Sequence, residues 1–334
     1  MPLHRALASV QLREYPIEAG ARGAIVITTA HAEGIPLYTD AAATLGLDPE
    51  IRKIASFYAE HGYVVIDPQI PQELIESANA SLRDLFVPTR DPYWADETRV
   101  QDGWFFNDPV RQIALAPRVI EILRLLYGRE PVPFQTLNFR VGSQQRTHSD
   151  IIHFDCLPYG FMCGVWVAME DVDRRNGPLH YYPSSQKLPR FDLQDIGVPS
   201  ESPDRYRQYE DFVEKLMRSE ELERAELEIE RGQALIWSAN LFHGGSPIAD
   251  TNRTRLSQVT HYYFEGCLYY TPLFSDCRMG NLAARRVLDV RTGEVASQFY
   301  NGAAIENPGE WPPRVSPPRL EPSWREKLAR FWRR

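Results

Sequence analysis

Apolar and polar positions follow two rhythms along this chain, and the change between them divides it. In the first part the rhythm is helical. Asp48-Pro49-Glu50 offers an N-cap with proline in the first turn, which predicts a helix to about His61. A short apolar run, Tyr63–Ile66, reads as a strand. Residues 71–86 put Leu74, Ile75, Ala78, Leu82 and Leu85 on one helical face. Residues 108–127, rich in Ile and Leu, predict a third, uninterrupted helix that stops at Gly128.

After Pro131 the pattern is that of strands. Residues 133–141 alternate, and 161–169 form a buried-strand candidate around Val165, Trp166 and Val167. Asn176-Gly177 is a strong hairpin signal, with 179–182 as the returning strand. His180, Arg174 and Arg175 flank that turn and read as surface residues. The charged stretch 203–222 reads as an inserted helix. Residues 225–229 read as an edge strand, and 234–237 and 256–264 as further strands.

Helices first and six or more short strands afterwards argue for an α+β chain. Its second half is an antiparallel sandwich or barrel, with the helices layered on one sheet. Residues 47–306 are read as one catalytic domain: a helical layer (47–130), then a β core (131–268) that contains the insertion 203–222. Residues 1–46 carry few signals, and 307–334 form a Pro-rich, then basic, tail.

Composition narrows the function classes. With 43% hydrophobic and 25% charged residues the chain is globular. Its net charge of −8 opposes nucleic-acid binding, because no net cationic surface displaces phosphate counterions. The charge is uneven. Residues 314–334 hold seven Lys or Arg and two Glu, a net of +5, which leaves −13 on the rest. This basic, aromatic tail reads as a helix docked on the acidic body or on a neighbouring subunit of a homo-oligomer, or else as a contact with an anionic surface. No apolar run approaches the roughly 20 residues of a membrane span, and no export signal is seen. Cys156, Cys163, Cys267 and Cys277 lack zinc-site spacing, so free thiols in the cytoplasm are the expectation.

The chemistry starts with two neighbouring triplets, His148-Ser149-Asp150 and His153-Phe154-Asp155. Residues two apart on a strand point the same way, so either triplet offers an imidazole and a carboxylate to one centre. Chance alone supplies about 0.5 such triplets in a chain of this composition. Downstream, His243-Gly244-Gly245 follows a strand and supplies a third donor. Two His and one carboxylate on one face leave open positions, as in non-haem Fe(II) oxygenases. Arg255 and Ser257 then share a face of the next strand. A guanidinium fork on a buried strand suits a planar carboxylate, and 2-oxoglutarate would place one there.

Taken together, residues 133–264 resemble the phytanoyl-CoA dioxygenase family of Fe(II)/2-oxoglutarate-dependent oxygenases. The matching text starts with His148-Ser149-Asp150, Trp166, Ala168-Met169-Glu170-Asp171 and Asn176-Gly177-Pro178-Leu179. It continues with Tyr182-Pro183-Ser184-Ser185, His243-Gly244, and Arg255 with His261 beyond it. Ser184 and Gln186 depart from the family's Pro-Gly-Ser-His turn.

The resemblance implies a double-stranded β-helix (jelly-roll, cupin-like) core with the N-terminal helices packed on one sheet. It selects His148 and Asp150 over the second triplet and implies Fe(II) on His148, Asp150 and His243. It implies 2-oxoglutarate held by Arg255 and Ser257, with Trp166, Asn138 and Arg140 close to it, and dioxygen as oxidant. The reaction it implies is hydroxylation of a small-molecule substrate with release of succinate and CO2; Asp150 speaks against halogenation. Two other readings remain at this point: a cupin-like isomerase or hydrolase that does not use 2-oxoglutarate, and a non-catalytic β-sandwich.

Overall fold

The computed structural model describes residues 34–305 apart from 42, 87–98, 277, 280 and 301–302. Residues 1–33, Cys277 and the chain from 306, including the tail and its expected docking, lie outside that set.

Helix α1, Pro49–His61, begins where Asp48 accepts a hydrogen bond from the Glu50 amide at 2.8 Å, and it buries Ile51, Ala55 and Tyr58. Strand β1 is Tyr63–Ile66 and helix α2 is Gln72–Leu82. A short strand β2, Arg99–Gln101, lies where the sequence pattern shows only loop. The single helix expected over 108–127 is two, α3 Asp108–Ala114 and α4 Pro117–Tyr127. Pro117 has no amide hydrogen, and its ring drives Ala116 out of the helical region to ψ 120°.

The remaining elements are β3 (Pro131–Phe139), β4 (Asp155–Leu157), β5 (Met162–Ala168), β6 (Leu179–Tyr181), α5 (Arg205–Ser219) and β7 (Ala225–Glu226). They continue with β8 (Ala234–Ser238), β9 (His243–Gly245), β10 (Ser257–Phe264) and β11 (Leu268–Tyr270). The larger sheet has the order β1-β8-β5-β10-β3-β2 and the smaller one β7-β6-β9, and the pairings in both are antiparallel.

The larger sheet is covered on both faces. Val165, Val167, Ala234, Ile236 and Tyr262 share one core with α1, α2 and α4. The alternate positions Trp166, Leu235, Trp237 and Val259 form a second core with Leu179 and Tyr181 of the smaller sheet. Burial on both sides explains why β5 reads as an unbroken apolar run rather than an alternating one. Helix α5 makes a third core with Leu193, Phe242 and Leu273. No helix among the described residues is long and apolar enough to cross a membrane.

The hairpin expected at Asn176-Gly177 does not form. Both edges of β5 are taken, by β8 and β10, so the returning strand β6 pairs instead with β7 and β9 in the other sheet. The dipeptide is a corner between sheets. Asn176 Nδ2 donates to the Asp171 and Thr254 carbonyls at 3.3 and 3.0 Å, and its Oδ1 accepts from the Asp173 amide at 3.1 Å. Gly177 turns the chain at φ +76°, a conformation that side chains other than glycine rarely adopt.

Candidate metal centre

His148 and His243 face each other across two neighbouring backbones. Each amide donates to the other residue's carbonyl at 2.9 Å, and the ring centroids stand 4.6 Å apart. The chain then turns at Ser149, whose hydroxyl caps a 3-10 turn, Asp150–Ile152, and this aims the Asp150 carboxylate back at both rings. Asp150 Oδ1 lies 3.8 Å from Nε2 of His148 and 3.8 Å from Nε2 of His243. One donor atom from each of the three residues lies within 4.8 Å of the other two, and all three side chains are buried.

The tautomers are arranged for metal binding. His148 Nδ1 meets the Arg146 carbonyl at 2.9 Å and His243 Nδ1 meets the Leu241 carbonyl at 3.0 Å. With the proton held at Nδ1, the Nε2 lone pair of each ring points at the centre. Burial, with the neighbouring His243 adding to it, pushes His148 down to about 4, and burial pushes His243 down to about 4. Both rings are therefore neutral near pH 7. Bonds of about 2.1 Å to one ion span up to about 4.2 Å between donors, so the 3.8 Å gaps fit a single ion. Two imidazoles and one carboxylate on one side suit a divalent transition metal and leave its other side to ligands.

A cavity of about 220 Å³ opens on these three residues. Arg255 lies in its wall and is 1% exposed. Its Nη1 donates to Ser257 Oγ at 2.6 Å, and its guanidinium carbon stands 5.4 and 5.5 Å from the ring centres of Phe139 and Trp166. Trp166 also lines the cavity, with a buried indole N–H that makes no hydrogen bond among the described residues. The structure thus brings His148, Asp150, His243, Arg255 and Trp166 to one space, with Ser257 bound to Arg255.

Two expected residues are elsewhere. On β3 it is Gln135, Leu137 and Phe139 that line the cavity. Asn138 has the opposite parity, so it points away and donates to Gln258 at 3.1 Å behind the sheet. The Arg140 side chain is exposed, and only its backbone carbonyl meets Arg255, accepting the Arg255 amide at 2.8 Å. Their assignment beside 2-oxoglutarate is corrected by this parity. In the second triplet, His153 lines the cavity while Asp155 turns away to accept hydrogen bonds from Arg190 and from the Tyr270 hydroxyl. His180, expected at the surface, is buried and bonds the Thr147 hydroxyl at 2.8 Å.

Of the other residues at the site, only His261 carries a sequence signal, as part of the text that matches the family. Trp237 donates its indole N–H to Asp150 Oδ2 at 2.7 Å. Gln145 lies 3.3 Å from both His148 Nε2 and the hydroxyl of Tyr206 on α5. His261 Nδ1 pairs with Gln135 at 3.0 Å, and burial pushes the ring down to about 4. None of these contacts follows from spacing, because each depends on which strand lies next to which.

The phytanoyl-CoA dioxygenase (PhyH) family model matches residues 58–255, more than half of the chain. A probable phytanoyl-CoA dioxygenase of Caenorhabditis elegans is 24% identical over 233 residues, covering 59% of this chain and 69% of that protein. The peroxisomal phytanoyl-CoA dioxygenase of Rattus norvegicus is 23% identical over 247 residues, 64% and 68% of the two chains. Among solved structures, the non-haem alpha-ketoglutarate-dependent epimerase SnoN of nogalamycin biosynthesis aligns with a TM-score of 0.52 at 22% identity, over 66% of this chain and 86% of its own. The carbocyclase SnoK of the same biosynthesis aligns with a TM-score of 0.51 at 17% identity, over 68% and 88%. At these identities the likeness is one of fold.

Proposed function

This chain belongs to the phytanoyl-CoA dioxygenase family, and from that premise we propose that it is an Fe(II)- and 2-oxoglutarate-dependent oxygenase that hydroxylates a small molecule. One observation carries the reading: a buried His148–Asp150–His243 cluster and a buried Arg255–Ser257 pair open on the same small cavity. On this reading the two facing sheets are the halves of a double-stranded β-helix.

Fe(II) with 2-oxoglutarate and dioxygen would supply the oxidising power, one oxygen atom entering a substrate C–H bond while 2-oxoglutarate is cleaved to succinate and CO2. The chain's own residues supply geometry and electrostatics. His148, Asp150 and His243 would hold the ion from one side. Arg255, kept in place by Ser257 and by the faces of Phe139 and Trp166, would pair with the far carboxylate of 2-oxoglutarate. The indole N–H of Trp166 is a further donor toward that end of the cavity. Toward β2 the wall carries Arg99, Gln101, Gln135, His153 and Phe154, which supports a small, hydrogen-bonding substrate. Burial keeps bulk water from the reacting centre.

The test is anaerobic reconstitution with Fe(II) followed by 2-oxoglutarate. A weak visible charge-transfer band is expected from the chelate. Its absence in protein shown to hold the metal would overturn the oxygenase reading and favour a metalloenzyme that does not use 2-oxoglutarate. Product analysis by mass spectrometry, against a panel of small acids and amino-acid derivatives that stimulate succinate release, separates hydroxylation from other oxidative outcomes.

A further inference from the structure

We propose that Trp237 is a positioning residue of the metal centre: its indole N–H ties down one oxygen of Asp150, so that the carboxylate offers a metal only the other. The inference rests on the reading that His148, Asp150 and His243 bind a metal. Trp237 Nε1 donates to Asp150 Oδ2 at 2.7 Å, between two buried side chains. The remaining oxygen, Oδ1, is the one 3.8 Å from Nε2 of both His148 and His243.

An indole nitrogen donates and cannot accept, so this contact has one direction. A donor to an ionised, buried carboxylate is among the stronger hydrogen bonds. Untied, the carboxylate has two other states: it can chelate an ion through both oxygens and fill a position that a ligand needs, or it can rotate away from both imidazoles. With Oδ2 held, neither is available, and Asp150 binds through a single atom. His261 Nε2 lies 3.8 Å from the same Oδ2 and bounds its other side.

The fold makes room for this arrangement at one point. Trp237 on β8 sits opposite Gly164 on β5. A Cβ at position 164 would stand 2.2 Å from Trp237 Cζ2 and 2.4 Å from Cε2. The indole therefore lies against bare backbone, and only glycine leaves it that place. The ring also comes within 5.0 Å, centre to centre, of His243, so one side chain touches two of the three ligands. A residue present only to fill the core would need no N–H aimed at a carboxylate.

Trp237→Phe keeps a ring and removes the donor. Co(II) affinity of the full chain, measured anaerobically by competition with a chelating dye, is expected to fall about 10–100-fold, the usual cost of losing a ligand's hydrogen-bond partner. The melting temperature of the metal-free variant serves as the control for folding. Gly164→Ala keeps the N–H but displaces it, so the same loss is expected there, and it serves as the test should the phenylalanine variant fail to fold. Wild-type Co(II) affinity in either folded variant overturns the proposal. Asp150→Ala separates the two levels: if it also binds Co(II) like wild type, the metal-site reading itself falls. If it loses the ion while Trp237→Phe keeps it, only the role of Trp237 falls.

Discussion

The two faces of the β3–β10 strand pair are both buried and both polar, yet they do different work. The inner face presents Gln135, Leu137, Phe139, Val259 and His261 to the cavity, with Arg255 at its end. The outer face presents Thr136, Asn138, Gln258, Thr260 and Tyr262. There the polar groups bond to the protein itself, apart from Asn138 Oδ1, which has no hydrogen-bond partner among the described residues. Gln258 donates to the Val110 carbonyl in the first half of α3 at 3.0 Å and Tyr262 to the Ala114 carbonyl at its C-terminal end at 2.8 Å, which ties the helix to the sheet. Buried polarity by itself is therefore no mark of a site. What distinguishes the inner face is that its polar groups converge on enclosed space, whereas the outer ones bond to one another and, through Gln258 and Tyr262, to a helix.

Acid separates the faces most strongly. His148, His243 and His261 are held near 4 by burial, below the ordinary value of 6.5. The unfolded chain takes up these protons first. Stability is full above about pH 6.5 and is lost as the pH falls toward 4, by up to about 3 kcal/mol for each ring. Beside the outer face the sign reverses. Burial raises Asp102, next to Thr136, from 3.8 to about 6, so its cost appears as the pH rises through that range. Urea titrations of the metal-free protein from pH 4 to 8 are expected to show stability falling below about pH 6.5, with Asp102→Asn steepening that fall, because the opposing contribution of Asp102 lies in the same range. A stability independent of pH below 6 would show that the inner rings are not held neutral.

Arg255→Ala comes next. Removing the buried cation is expected to weaken 2-oxoglutarate binding by about 100-fold while metal affinity stays near wild type. Calorimetry with the Mn(II)-loaded protein measures it, and unchanged affinity would erase the chemical meaning given to the inner face. Gln258→Leu is the outer-face counterpart. It strands the Asn138 amide and cuts the tie to α3 at the Val110 carbonyl, so about 1–3 kcal/mol of stability should be lost with 2-oxoglutarate affinity within twofold of wild type. A large loss of affinity without loss of stability would mean that the faces are not separate. The smallest effect is expected of Arg140→Ala, within about 0.5 kcal/mol and with no change in binding, because its side chain is exposed.

Much of the architecture was legible because local rules decide it. Asp48 and Pro49 start α1 where capping chemistry requires, and the apolar run at 162–168 is a buried strand. The failures are equally physical. Pro117 splits a helix that hydrophobic periodicity alone runs straight through. Asn176-Gly177 has the chemistry of a hairpin, but β5 has no free edge left to receive the returning strand. At the site, residue type and spacing left two His-x-Asp triplets open, and the family resemblance selected His148 and Asp150 beside His243 and Arg255. Asn138 was misplaced because alternation says which residues share a face and not which face meets the cavity.

Most of the elements, the donor types and the order in which they arrive are set locally, by propensity, capping and covalent spacing. Tertiary structure alone decided that two backbones bring His148 and His243 together, which side of β3 looks inward, and that Trp237 lies beside Asp150 against the bare backbone at Gly164. Those facts belong to strand pairs far apart in the chain. Their physical basis is register: a slip of one residue exchanges the two faces of a strand, and no local propensity sets it.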